Sequence, residues 1–190
     1  QRPSVCNALE TLLVHEKAAR RVLPRILDEL SEANVVIHGD PTVAEYAPEG
    51  VKAQRATRKD WGKEYLDLEI AIKFVEDIEA AIEHIREYSS GHTAVIVTND
   101  LSNAELFVST IDSASVGVNA STRFTDGGAF GLGAEVGIST QKLHARGPMG
   151  LTQLTTTKWI MRGSGQVRLE IRETLITAVI SYKHLLKEKT

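Results

Sequence analysis

Thr93-Ala94-Val95-Ile96-Val97-Thr98 is a short apolar run between polar ends and reads as a buried strand. Just upstream, Ile78, Ile82 and Ile85 mark a helix. Before that helix, Leu68 to Val75 alternates, with Leu68, Ile70, Ile72 and Phe74 on one face, the period-two signature of a strand. Downstream, Ser102 and Glu105 have capping-box spacing and predict a helix that buries Ala104, Phe107, Val108 and Ile111. Ser115 to Asn119 reads as a further strand. Strand, helix, strand, helix, strand is the order of an α/β fold, a largely parallel sheet flanked by helices.

Further out, Thr11 to His15 is a buried strand by composition, and Glu16 to Glu32 has helical spacing with Val22, Ile26, Leu27 and Leu30 apolar. Pro24 is expected to kink or split that helix. Val35-Val36-Ile37 predicts a strand closed by Gly39-Asp40-Pro41, and residues 41–63 read as irregular. Residues 119–150 are dense in glycine and lack periodicity, and long loops of this kind are usually functional. Thr155 to Met161 is β-prone, Gly163-Ser164-Gly165 is a break, and Glu170 to Lys189 is amphipathic.

Composition narrows the function. Hydrophobic residues make up 42%, enough for a core, and a formal charge of −3 gives no electrostatic case for nucleic acid. No apolar run approaches the roughly 20 residues needed to span a bilayer. A single cysteine excludes an internal disulfide and fits a reducing compartment such as the cytoplasm. The start at Gln1-Arg2-Pro3, without Met, predicts a fragment or a chain cut just before Cys6.

Cys6, in Pro3-Ser4-Val5-Cys6-Asn7-Ala8-Leu9-Glu10, is the candidate nucleophile, since thiolate sulfur is the strongest nucleophile among ordinary side chains near neutral pH. The competing reading is a small buried hydrophobe. Asn119-Ala120-Ser121-Thr122-Arg123 emerges at the C-terminal edge of a strand, where ligands bind in α/β sheets. Arg123 suits a forked contact with a carboxylate or phosphate, and Ser121 and Thr122 suit hydrogen bonding. Phe130-Gly131-Leu132-Gly133 is placed beside the same pocket, its glycines allowing unusual backbone angles and close approach. Gly131-x-Gly133-x-x-x-Gly137 misses dinucleotide-fingerprint spacing. His92 reads as part of a turn entering a strand, His144 is isolated, and no cluster has metal-ligand spacing. Arg146-Gly147-Pro148 reads as a structural turn.

Several runs resemble gamma-glutamyl phosphate reductase, of the aldehyde dehydrogenase superfamily: RPSVCNALETLLVH (2–15), EYLDLEIAI (64–72), SGHT (90–93), VNASTRFTDGG (118–128) and FGLGAEVGISTQKLHARGPMGL (130–151). The resemblance covers roughly Arg2 to Arg168 and implies an aldehyde-dehydrogenase-like catalytic domain over residues 1–154 and an oligomerisation-type strand over 155–168; the C-terminal helix expected over 169–190 from its amphipathic spacing goes beyond the family pattern. It implies that Cys6 forms a thioester with gamma-glutamyl phosphate, that NADPH reduces it, and that glutamate 5-semialdehyde is released, as in proline biosynthesis. Glu64 would bind the nicotinamide ribose hydroxyls; Tyr65-Leu66-Asp67 stands where ordinary aldehyde dehydrogenases carry an aromatic-Gly-Pro run. Asn119, Ser121, Thr122, Arg123, Phe130 and Gly131 would meet the substrate, and no metal is implied. The nucleotide-binding domain lies mostly before the nucleophile in the superfamily, so the chain alone is expected to turn over little substrate. A homo-oligomer in full-length form and a glutamate kinase are the implied partners. The alternatives are a non-catalytic folding and oligomerisation module, and a lobe of an ordinary aldehyde dehydrogenase.

Overall fold

A computed structural model describes residues 1–168. Thr11–His15 (β1) passes directly into Glu16–Glu32 (α1), and His15 caps the helix, its Nδ1 accepting the Lys17 N–H at 3.1 Å. The helix runs unbroken through Pro24 rather than splitting there. Proline lacks an N–H, so the carbonyl of Arg20 loses its partner; Arg20 is exposed, where water can serve that oxygen. Leu27 is buried as expected, in line with Ala19 and Leu23, and the expected Val22 and Leu30 pack partly buried against this core. Asn34, at φ 59°, ends the helix: its N–H donates to the Ser31 carbonyl and that of Val35 to the Leu30 carbonyl, each at 2.9 Å, a Schellman closure.

Val36–Gly39 (β2), Ala53–Arg55 (β3) and Glu69–Val75 (β4) join β1 in a parallel sheet of order β1-β4-β2-β3. β3 is a short edge strand inside the stretch expected to be irregular. β4 is an interior strand, so it is buried on both faces through Ile70, Ala71, Ile72 and Val75, and Leu68 falls outside it and is exposed. The α1 line packs against Val14, Ile37, Val43, Ile70 and Ile72.

Ile78–Tyr88 (α2), Thr93–Ile96 (β5), Leu101–Thr110 (α3) and Ser115–Val118 (β6) follow, with β5 and β6 parallel and Thr93 opposite Ser115. Ile82, Ala94, Phe107 and Ile111 form their core. The strand and helix pattern is as expected, but β4 pairs with β1 and β2 rather than with β5, so the alternation is divided between two sheets. β5 stops at Ile96 and leaves Val97 exposed, and Val108 is exposed as well. Asp100, not Ser102, caps α3, its carboxylate accepting the Asn103 N–H at 2.9 Å; the helix starts at Leu101, so Ser102 already lies in its first turn.

Gly137–Ser139 (β7) and Gly147–Met149 (β8) pair antiparallel, giving order to part of the glycine-dense stretch. Arg146-Gly147-Pro148 therefore opens a strand instead of forming a turn. Gln1–Thr156 make one compact unit, and a second begins at Thr157. Among the described residues, 155–168 contain no strand, so the one expected there is not formed in the single chain; an extended segment without a ladder partner has nothing to hold it. The helix expected over 169–190 lies outside the described residues. No helix among the described residues is long and apolar enough to cross a membrane.

Candidate functional site

The segment before β1 is a pair of tight turns. The Val5 N–H donates to the Arg2 carbonyl at 3.4 Å and the Ala8 N–H to the Val5 carbonyl at 3.0 Å, so Cys6 and Asn7 are the central residues of the second turn. Cys6 is exposed and unpaired, not a packed hydrophobe. Its neighbour Asn7 is buried and holds the turn in place. Asn7 Nδ2 donates to the Thr125 carbonyl at 2.9 Å, its Oδ1 accepts from Arg123 Nη1, and its carbonyl accepts the Thr122 hydroxyl at 2.7 Å. Residues more than a hundred positions apart are thus brought together at the thiol, and a guanidinium is tied to the residue next to it.

The residues expected at the substrate divide by what they hold. Asn119 takes a left-handed φ of 52°, and its amide clasps the main chain of Thr98, two residues past β5: Oδ1 accepts the Thr98 N–H at 2.9 Å and Nδ2 donates to the Thr98 carbonyl at 2.8 Å. Thr122 gives its hydroxyl proton to the main chain at Asn7. Arg123 reaches Asn7, while its Nε is buried with no partner among the described residues. Ser121 is exposed, its Oγ accepting the Arg123 N–H at 3.2 Å. Phe130 and Gly131 are exposed on a helical turn closed by the Phe130 N–H on the Asp126 carbonyl and the Gly131 N–H on that of Gly128. Gly131 has φ 77°, the unusual angle expected of it, but the close approach is elsewhere. A Cβ on Gly127 would lie 2.7 Å from the Ala134 carbonyl oxygen, and its N–H donates to Glu135 Oε2 at 2.8 Å.

Glu64 is exposed, just ahead of buried Tyr65. Its charge reaches two other groups. Burial, then Glu64, raises the pKa of Glu10 above the usual carboxylate value, against a hydrogen bond from the Tyr65 N–H. Burial lowers that of His92 below the usual imidazole value, against Glu135 and Glu64. His92 Nδ1 lies 2.7 Å from Thr93 Oγ1, and the Thr93 hydroxyl donates to Thr125 Oγ1 at 3.0 Å, on the same residue that accepts from Asn7. Glu135 belongs with the Phe130 to Gly133 run that the sequence places beside the pocket, whereas Asn7, Thr125 and Glu10 escaped the sequence reading although all lie in the family-like runs. The available signal was a polar amide following the cysteine at the start of an apolar run.

Arg146 lies away from this network. It binds Asp112 through Nη1 at 2.8 Å and the Asp112 carbonyl through Nη2 at 2.9 Å, and Lys142 joins the same carboxylate. Hydrogen bonds from Lys142 and then Arg146 hold Asp112 below the usual carboxylate range. The cluster fastens the β7–β8 hairpin to the end of α3. His144 is exposed.

No family model matches the chain. The chain is 58% identical over 168 residues to the gamma-glutamyl phosphate reductase of Leifsonia xyli, spanning 88% of this chain and 39% of that protein. It is 57% identical over 167 residues to the Clostridium botulinum gamma-glutamyl phosphate reductase, spanning 88% and 40%. The crystal structure of gamma-glutamyl phosphate reductase from Thermotoga maritima superposes with a TM-score of 0.82 at 55% identity, over 89% of this chain and 40% of that one. An acetylating aldehyde dehydrogenase from Geobacillus thermoglucosidasius, at 18% identity and a TM-score of 0.55 over 89% of this chain and 46% of that one, shares the fold. By sequence and fold the chain matches a stretch of gamma-glutamyl phosphate reductase that covers 39% of the length of the Leifsonia protein.

Proposed function

We propose that the chain is the thiol-bearing catalytic lobe of a cytoplasmic, NADPH-dependent reductase that converts gamma-glutamyl phosphate to glutamate 5-semialdehyde and phosphate in proline biosynthesis. The supporting observation is the exposed Cys6 on a turn that Asn7 ties to Thr122, Arg123 and Thr125. In this reading the Cys6 thiolate attacks the acyl carbon, the Sγ–C bond forms, and the C–O bond to phosphate breaks. NADPH supplies the hydride that reduces the resulting thioester. The resulting thiohemiacetal oxyanion then collapses: its carbonyl re-forms as the C–S bond breaks, and aldehyde leaves with Cys6 restored as thiolate. A thiol suits both attack and departure.

Glu64, an exposed carboxylate, fits hydroxyl groups of the cofactor ribose, since a carboxylate accepts more than one such bond. Ser121, exposed beside Arg123, is the free hydroxyl of the substrate-facing loop; Phe130 and Gly131 complete that wall. Asn119, Thr122 and Arg123 serve the site by shaping it, Arg123 also carrying positive charge to the residue next to the thiol. The remaining cofactor contacts fall to the part of the relatives' length that this chain does not span. The full-length protein is a homo-oligomer fed with acyl phosphate by a glutamate kinase.

Iodoacetamide labelling tests the thiol. Rapid alkylation of Cys6 in the folded chain near neutral pH is expected, and labelling only on unfolding would refute the reading. In the full-length protein, oxidation of the semialdehyde should require phosphate; oxidation without it would make the lobe that of an ordinary aldehyde dehydrogenase. The isolated chain is expected to show no steady-state turnover. A second reading, an assembly module, is favoured by Trp159 and Met161, which are 95% and 94% exposed. Sedimentation with and without residues 157–190 tests it, a change in oligomeric mass being the supporting result.

A further inference from the structure

His92 is 8% exposed, and its Nε2 is sealed from solvent with no hydrogen-bond partner among the described residues. A hydroxyl has one proton to give. A proton on the buried, unpartnered Nε2 would be an orphaned donor, so the imidazole carries its proton on Nδ1 and gives it to Thr93 Oγ1, which leaves the Thr93 proton for Thr125 Oγ1. The Thr125 carbonyl accepts Asn7 Nδ2, and Asn7 shares with Cys6 the turn closed by Ala8 on Val5. A continuous line of polar contacts thus runs from a buried imidazole at the start of β5 to the turn bearing the thiol.

We propose that His92 is a positioning residue of the Cys6 site, acting as the Nδ1–H tautomer through Thr93, Thr125 and Asn7. The proposal rests on the reading of Cys6 as the nucleophile and gives the imidazole no proton transfer with substrate, because its free nitrogen is out of reach. Burial favours the neutral ring, which keeps the tautomer available at neutral pH. The line gives a histidine a use that an apolar residue of similar size would lack, in a pocket that leaves one of its nitrogens unpaired among the described residues. The donated Nδ1 proton orients Thr93, and Thr93 in turn orients the residue that anchors Asn7.

The test uses the 190-residue chain. Nitrogen-15 NMR of the imidazole is expected to show Nδ1 protonated and Nε2 bare. Amide exchange at Ala8 reports the Cys6 turn: His92→Leu and Thr93→Val should speed it about tenfold, since each removes a link in the line. His92→Asn, whose side-chain amide donates from near the Nδ1 position, should return it to within about threefold of the unaltered chain. A role in local packing alone would move the amides around Thr93 and leave Ala8 unchanged. Circular dichroism melts establish that each variant folds; should His92→Leu fail to fold, Thr93→Val against Thr93→Ser makes the same comparison. An Nε2–H tautomer, or unchanged Ala8 exchange in folded Thr93→Val, overturns the proposal. Fast Cys6 alkylation with an unresponsive Ala8 would overturn the relay alone. Slow alkylation with a responsive Ala8 would overturn the nucleophile instead.

Discussion

The α1 side of the molecule and the loop that follows β6 are held together by different means. Around α1, Leu23, Leu27 and Ile72 are 0% exposed and the contacts are aliphatic. At the thiol, the joining groups are amides, hydroxyls and a guanidinium, and the residue they hold, Cys6, stays exposed. Aliphatic packing is non-directional and builds a stable platform. Directional hydrogen bonds fix where one short turn sits without covering it, which is what a reactive side chain needs.

The contrast can be broken at either end. Leu27→Ala is expected to cost about 3 kcal/mol in urea unfolding, through lost transfer energy and a cavity, and to leave the Cys6 alkylation rate of the folded chain unchanged. A changed rate would mean that the two regions are one mechanical unit. Asn7→Ala is expected to cost about 2 kcal/mol, because Arg123 and the Thr125 carbonyl lose a partner, and to alter Cys6 alkylation as well. If it altered stability alone, the tie would be packing and not presentation.

A titrating group gives the next test. His84 is buried beside Trp61, Tyr88 and Lys73, and burial, then Lys73, pushes its pKa down to about 4. The unfolded chain takes up that proton near pH 6.5. The contribution of the neutral ring is therefore complete above about pH 6.5 and is lost as the pH falls towards 4. Between pH 7 and pH 4.5 the unaltered chain should lose on the order of 2 kcal/mol relative to His84→Phe, measured as the difference in urea unfolding. A parallel pH dependence in both chains would remove His84 from the account. The smallest effect belongs to the α1 terminus: Asn34→Gly should stabilise by a few tenths of a kcal/mol and Asn34→Val should cost about 1 kcal/mol in thermal melts, since φ 59° is free only to glycine. Equal melts would show that the Schellman closure is held by Val35 packing alone.

Elements whose cause is local were legible in the chain. The apolar run 11–15, the helical spacing of 16–32 and the alternation after Leu68 each became the element expected. The errors were of phase and partnership. Pairing decided that β4 is interior, so Ala71 and Val75 are buried though the alternation left them out. Asp100 captured the α3 cap from Ser102 because the chain turned earlier. Cys6, Ser121 and Arg123 were nameable from residue type, but Asn7 and Thr125 were not, because an amide or hydroxyl says nothing of its partner until the chain is folded.

The order of residues alone determined the α/β class, the places of the main helices and strands, and the kinship carried by the runs around Cys6, Asn119 and Phe130, because periodicity and chemical type act over a few neighbours. Only the tertiary structure decided which strands pair, which face of α1 is buried, and that the turn at Cys6 meets the loop after β6. Those contacts join residues separated by more than a hundred positions, and long-range pairing is chosen by the packing of the whole chain, which no local pattern encodes.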